Sequence, residues 1–255
     1  ERVWVGTDGG GINIFENGKR VAIYNKENGK LDHNTIQAAF KDSEENLWLG
    51  AFSGGIYFYN NKDKNLSRIK LNGTLNQDIR CFYEDANKNV WIGTGEGAFT
   101  VNLKNKEINR QYIRPYYNLA ENMVRAIGQD SRGRMWFGSF GLGLAVFSKN
   151  MEYITTFSEY NEFPSNTINH IYKDSSGQMW IATGEGLVCF ADSDSLKYKV
   201  FGRDEGLYNT YIRAIIEDGV GNIWFSTNAG ISCLLKSSGQ IKNYNYFDKT
   251  PMGSF

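Results

Sequence analysis

Short apolar runs, some alternating and some continuous, recur along the chain between clusters of Gly, Asn, Asp and Ser, and no window sustains an apolar period of 3.6. This pattern predicts strands joined by tight turns, with almost no helix. The runs also repeat. Six tryptophans, Trp4, Trp48, Trp91, Trp136, Trp180 and Trp224, are separated by 44, 43, 45, 44 and 44 residues. Six residues before every tryptophan but the first stands an aspartate: Asp42, Asp85, Asp130, Asp174 and Asp218. Six residues before each aspartate stands a branched apolar residue: Ile36, Ile79, Val124, Ile168 and Ile212.

One copy shows the unit. Strand a is expected over 123–129, a turn at 130–133, strand b at 135–138, then a Gly-rich turn, strand c at 144–147 and strand d near 153–157. The approximate repeats are 1–33, 34–76, 77–121, 122–165, 166–209 and 210–255, the first lacking strand a, so that twenty-three strands are expected. A four-stranded meander with apolar residues on both faces must bury both against neighbours. Sheet twist favours radial packing of such units, and a repeat of about 44 residues with one Trp per four strands fits a propeller blade. The fold expected is all-β, a single β-propeller of four-stranded antiparallel blades over 1–255 and part of a seven-bladed ring. Each Asp opens a turn and can accept backbone N–H bonds, and each Trp fills space between blades. Both are scaffold.

Composition narrows the function classes. The 28 basic and 28 acidic residues cancel, which points to neither nucleic acid nor an anionic membrane as the main partner. No apolar run reaches the roughly 18–20 residues that span a bilayer, and the chain opens mid-pattern at Glu1-Arg2-Val3-Trp4, as an excised segment would. Cys81, Cys189 and Cys233 form no CxxC pair, so neither a disulfide framework nor a zinc site is expected.

The phrase I-x-x-I-x-x-D-x-x-G-x-x-W-x-G-T-x-x-G-L, best matched from Ile168 through Leu187 and from Val124 through Leu144, resembles the two-component regulator propeller repeat. The resemblance covers essentially the whole chain. It implies the extracytoplasmic sensor region of a hybrid two-component regulator, as found in Bacteroidetes: propellers, then a β-sandwich, a membrane helix and a cytoplasmic kinase. It further implies a periplasmic setting, a link to the membrane only through other parts of the protein, and detection of oligosaccharides from polysaccharide breakdown. The sequence departs from the pattern after Trp, where Ala182 and Ser226 replace Gly, and one position later, where Ala51 and Ser139 replace Thr.

Catalytic constellations are poor. His33 and His170 fall at unrelated repeat positions, and His170 takes a strand-a slot held elsewhere by small residues, as a packed residue would. The Gly-rich turns at 93–97 and 182–186 join antiparallel strands and open no helix, so they are not phosphate loops. Asp85-x-Asn87-x-Asn89 lacks the Gly and distal Glu of a calcium loop. Glu96 and Glu185 occupy one repeat position, which brings no distinct acid and base together. No catalytic residue, metal or cofactor is expected; a lyase or glycosidase is the less favoured alternative.

Binding has more support. In an a-b-c-d blade the b–c turns and d–a loops share one face. The b–c turns carry Phe52 and Phe140, and the d–a loops carry His33, Arg114, Tyr116, Tyr117, Tyr160, Phe163, Arg203, Tyr208 and Tyr211. Flat aromatics suit the C–H faces of sugars. The residue after each strand-a anchor is Gln37, Arg80, Arg125, Asn169 or Arg213, a polar and partly basic ring suited to an acidic sugar or carboxylate. The plain reading has these arginines paired with Glu96, Glu185 or neighbouring blades. The ligand-binding candidates are therefore Phe52, Phe140, Arg80, Arg125, Arg213, Tyr116, Tyr117, Tyr160, Tyr208 and Tyr211. The expected partner is an oligosaccharide, with docking of an adjacent propeller or a homodimer partner as the scaffold alternative.

Overall fold

The computed structural model describes residues 2–53, 55–69, 78–102, 108–109 and 123–245. Twenty-three strands and a single-turn 3₁₀ segment, Glu159–Asn161, run through them. Blade 1 has β1 (Arg2–Gly6), β2 (Ile12–Glu16) and β3 (Lys19–Tyr24); blade 2 has β4 (Ile36–Lys41), β5 (Leu47–Ala51), β6 (Gly55–Asn60) and β7 (Asn65–Ile69). Blade 3 has β8 (Ile79–Glu84), β9 (Asn89–Thr94), β10 (Gly97–Asn102) and β11 (Ile108–Asn109); blade 4 has β12 (Val124–Gln129), β13 (Met135–Ser139), β14 (Leu144–Phe147) and β15 (Tyr153–Phe157). Blade 5 has β16 (Ile168–Lys173), β17 (Met179–Thr183), β18 (Gly186–Phe190) and β19 (Tyr198–Phe201); blade 6 has β20 (Ile212–Glu217), β21 (Ile223–Thr227), β22 (Gly230–Leu234) and β23 (Ile241–Asn245). Strand order in every sheet follows the chain, and blade 1 lacks strand a, as the repeat predicts. Contacts divide the chain into two compact units, Glu1–Ile127 and Gly128–Phe255.

The repeated Asp and Trp form one device. In blades 2 to 6 the Asp Oδ1 accepts the backbone N–H of the second and fourth residues after it. Its Oδ2 accepts Trp Nε1 at 2.8–3.1 Å. The carboxylate thus holds the a–b turn and the indole of strand b together. The fourth residue of each turn has positive φ: Gly133, Gly177 and Gly221 adopt it freely, whereas Glu45 and Lys88 adopt it at φ 66. The bond from Trp224 Nε1 is the largest cause that holds the Asp218 carboxyl down at about 2.

The indoles join blades. Trp48 clusters with Ile79, Val90 and Ile92 of blade 3, Trp180 with Ile212, Ile215 and Ile223 of blade 6, and Trp136 meets Phe190 of blade 5 at 4.8 Å. In blades 2, 4 and 5 the face that carries Trp therefore covers the strands of its successor, where burying one such ring contributes roughly 1.5–3 kcal/mol. Small residues allow this close approach: a Cβ on Gly50 would lie 2.4 Å from Ile79 Cγ2.

Two turn-level links add to the apolar contact. Ser43 of blade 2 donates from N and Oγ to Glu84 of blade 3, at 2.7 and 2.6 Å, and Ser175 of blade 5 does the same to Glu217 of blade 6. Between blades 4 and 5, where Lys173 holds the acidic position, Arg132 instead pairs with Asp192 and Asp194, and Arg134 donates to the carbonyls of Ser193 and Asp194.

Candidate ligand-binding face

The b–c turns and d–a loops do meet on one side of each blade. Gly11 N donates to Asn34 O, Phe52 N to Thr35 O, Gly141 N and Gly143 N to Asn166 O, and Gly186 N to Thr210 O. The b–c turns are locked from within. The hydroxyls of Thr7, Thr94, Ser139, Thr183 and Thr227 each donate to the glycine carbonyl that closes the turn, at 2.8–3.2 Å. Ser139 preserves the lock; Ala51 cannot.

Loop d–a is anchored by one apolar residue five positions before the strand-a Ile: Leu31, Phe163 and Leu207, all buried. Phe163 lies on this loop without being exposed on it. It instead packs against Phe157, Phe190 and Tyr198, and its shared offset with Leu31 and Leu207 is the sequence signal of that role. Around the anchor the loop is tied. Glu159 and Asn166 exchange two backbone-to-side-chain bonds of 2.9 Å, and Asn161 Nδ2 donates to Thr156 O at 2.6 Å. This fixed loop presents Tyr160, which is 95% exposed. In blade 6, Leu207 is the buried anchor and the next residue, Tyr208, is 65% exposed; Tyr208 N and Gly206 O both bond to Asn243.

Phe52 and Phe140 are exposed on their turns, Phe52 with His33 edge-on at 6.4 Å. Tyr116 and Tyr117, with Arg114, lie outside the described residues. The polar positions after the strand-a anchors share a backbone cause: the strand a–strand b register shifts at Gln37, Arg80, Asn169 and Arg213, so each is a bulge residue. A bulge re-aims its side chain.

The arginines at those positions are not equivalent. Arg80 is spent on Asp78, and Arg125 Nε contacts Met123 Sδ at 3.3 Å. Arg213 lies over the Tyr211 ring, 5.4 Å from its centroid, and donates from Nε to Asn228 Oδ1 at 2.7 Å. Asn228 was missed, although it stands where other b–c turns have Gly95 and Gly184. Asn169 Nδ2 donates to Ile212 O at 2.7 Å.

His170 is a packed residue. Its Nδ1 accepts the Ile215 N–H at 3.2 Å, and burial pushes its pKa down. Glu185 Oε2 accepts Thr210 Oγ1 at 3.1 Å, while Glu96 sits on the equivalent turn of another blade. Burial pushes the thiols of Cys81 and Cys189 up to about 12, far from the range of a reactive thiolate. Among the described residues no three His, Cys, Asp or Glu side chains group as metal ligands, and no helix is long and apolar enough to cross a membrane.

A pocket of about 220 Å³ lies on the other side, at the a–b and c–d turns of blades 5 and 6, with Gln178, Lys199 and Lys236 in its lining. Its ring walls, Trp180 and Phe201, are 5% and 7% exposed, and Lys199 Nζ covers Phe201 at 4.6 Å. Neither ring has a free face for a sugar.

The sequence profile described as two component regulator propeller matches residues 73–96, 118–141, 162–185 and 207–229. These are two-component regulator propeller repeats. The propeller superimposes, over 100% of its length, on 34% of a solved chain from B. thetaiotaomicron named as the extracellular domain of the hybrid two component system BT3049, at 48% identity and TM-score 0.87. It is 31% identical over 156 residues to histidine kinase P4 of Formosa agariphila, a match that covers 57% of this chain and 11% of the kinase. The chain thus spans about a third of the first relative and a tenth of the second. Virginiamycin B lyase from Staphylococcus aureus, at 16% identity and TM-score 0.72 over 94% of this chain and 79% of that one, shares the propeller fold alone.

Proposed function

We propose that the propeller is part of the extracytoplasmic sensor region of a hybrid two-component regulator. In this reading it faces the periplasm, binds an oligosaccharide released from a polysaccharide, and leaves that ligand chemically unchanged. The observation that carries the reading is the likeness at 48% identity along the whole chain to the extracellular domain of such a system. The sugar is favoured by the construction of the d–a loops, in which a buried anchor and tied backbone hold an exposed tyrosine out to solvent, since a ring that is already fixed costs little entropy on binding.

Signalling then follows from rigidity. Blades 2 and 3, 4 and 5, and 5 and 6 pack on one another through buried rings, so bound ligand shifts the placement of modules more readily than it deforms a blade. Calorimetry of the intact sensor region against plant and host glycans tests the reading. Heat from an oligosaccharide, lost when Tyr160 and Tyr208 become Ala, is the expected result. No heat from any glycan overturns the carbohydrate reading, and turnover of a glycan that disappears in Glu96→Gln or Glu185→Gln makes the protein an enzyme instead.

A further inference from the structure

Resting on that reading, we infer that Arg213, held by Tyr211 and Asn228, is the anchor for a carboxylate on the sugar, so that the ligand is a uronic-acid oligosaccharide. Arg213 is the bulge residue at the head of β20, which takes its side chain off the strand ladder. Two flanking elements then fix the guanidinium: the d–a loop places the Tyr211 ring against it, and the b–c turn places Asn228 Oδ1 on its Nε. A guanidinium has five N–H donors in a planar fork, and this arrangement uses the one on Nε. Among the described residues neither Nη meets an acceptor, and no carboxylate pairs with the group.

That distinguishes it from Arg80, Arg132 and Arg134, whose charge is met by Asp78, by Asp192 and Asp194, and by Asp130. Arg213 is instead stacked and oriented by neutral groups, which fixes its plane without cancelling its charge. The open fork matches a carboxylate, which accepts two parallel N–H bonds. Two further groups lie on the same loop cluster. Tyr208 offers an exposed ring to a pyranose face, and Glu185, held by Thr210, can accept sugar hydroxyls.

The test uses the intact sensor region and calorimetry with oligogalacturonate, the same oligomer as its methyl ester, a sulfated neutral oligomer and the neutral glycan panel. Oligogalacturonate is expected to bind, and its methyl ester to bind about tenfold to hundredfold more weakly, the loss of a hydrogen-bonded charge. Arg213→Met should abolish that preference while the unfolding midpoint holds; Arg213→Lys should restore part of it, and Asn228→Ala should weaken it. Equal binding of acid and ester, tighter binding of the sulfated oligomer, or an unchanged preference in Arg213→Met overturns the carboxylate anchor and leaves the sugar reading standing. Failure of oligogalacturonate alongside binding of a neutral glycan does the same. Silence from every glycan removes both.

Discussion

At the scale of single residues, most of the stabilising chemistry is repeated and most of the functional chemistry is not. Asp174 serves four donors, the N–H groups of Ser176 and Gln178, the Ser176 hydroxyl and Trp180 Nε1. Asp174→Ala strands the two backbone groups and the buried indole, and is expected to cost about 3 kcal/mol. Trp180→Phe strands none of those backbone groups and should cost less through the lost bond, a ranking that urea titration can read. His170 carries a pH dependence. Its folded-state pKa is depressed below the usual 6.5 by burial, so the unfolded chain binds the proton more readily. Its stabilising contribution is complete above about 6.5 and declines as pH falls through that value towards the folded pKa. The same titration at pH 7.5 and 5.5 should show a smaller loss in His170→Ala; an equal loss in both proteins places the dependence elsewhere. The sequence made the Asp and Trp legible because every copy repeats them. Arg213 stood out only as one polar residue of five, since its stacking on Tyr211 and its bond to Asn228 join segments 15 residues apart.

At the scale of elements, the strands were legible and the loops were not. The limits of β14 and β15 coincide with the expected spans 144–147 and 153–157, because Gly143, Ser148 and Ser158 bound those runs sharply. The d–a loops have no such period, so the sequence alone does not separate the buried Phe163 from the exposed Tyr160. An offset of five from the strand-a Ile separates anchor from presented ring. The two roles predict opposite outcomes. Phe163→Ala, which empties a site among Phe157, Phe190 and Tyr198, should cost about 3–5 kcal/mol. Tyr160→Ala should leave the urea midpoint unchanged and weaken glycan binding. A stable Phe163→Ala protein, or a destabilised Tyr160→Ala protein, reverses the assignment.

At the scale of the whole molecule, the Trp face that covers the next blade in blades 2, 4 and 5 is left exposed in blade 6. Its other face is buried against blade 5 through Ile215, Ile223, Phe225 and Leu234. The Trp224 face holds Ile216 and Ile231, 62% and 51% exposed, and a Trp224–Tyr244 stack at 5.6 Å. Blades 2 and 5 bury the same face against apolar residues of their successors, Ile79 and Val90 in one case and Ile212 and Ile223 in the other. The occupant whose chemistry fits such a face is a further blade of the same repeat. Ile231→Lys separates this from an ordinary exposed side chain. In a protein that carries such a blade after residue 255 it should cost roughly 2–3 kcal/mol, the transfer energy of a buried aliphatic plus a desolvated charge. In residues 1–255 alone it should cost close to nothing and reduce any concentration-dependent association seen by sedimentation, because the apolar patch is then open to solvent. An equal effect in both proteins, or none in the longer one, means that no blade covers this face.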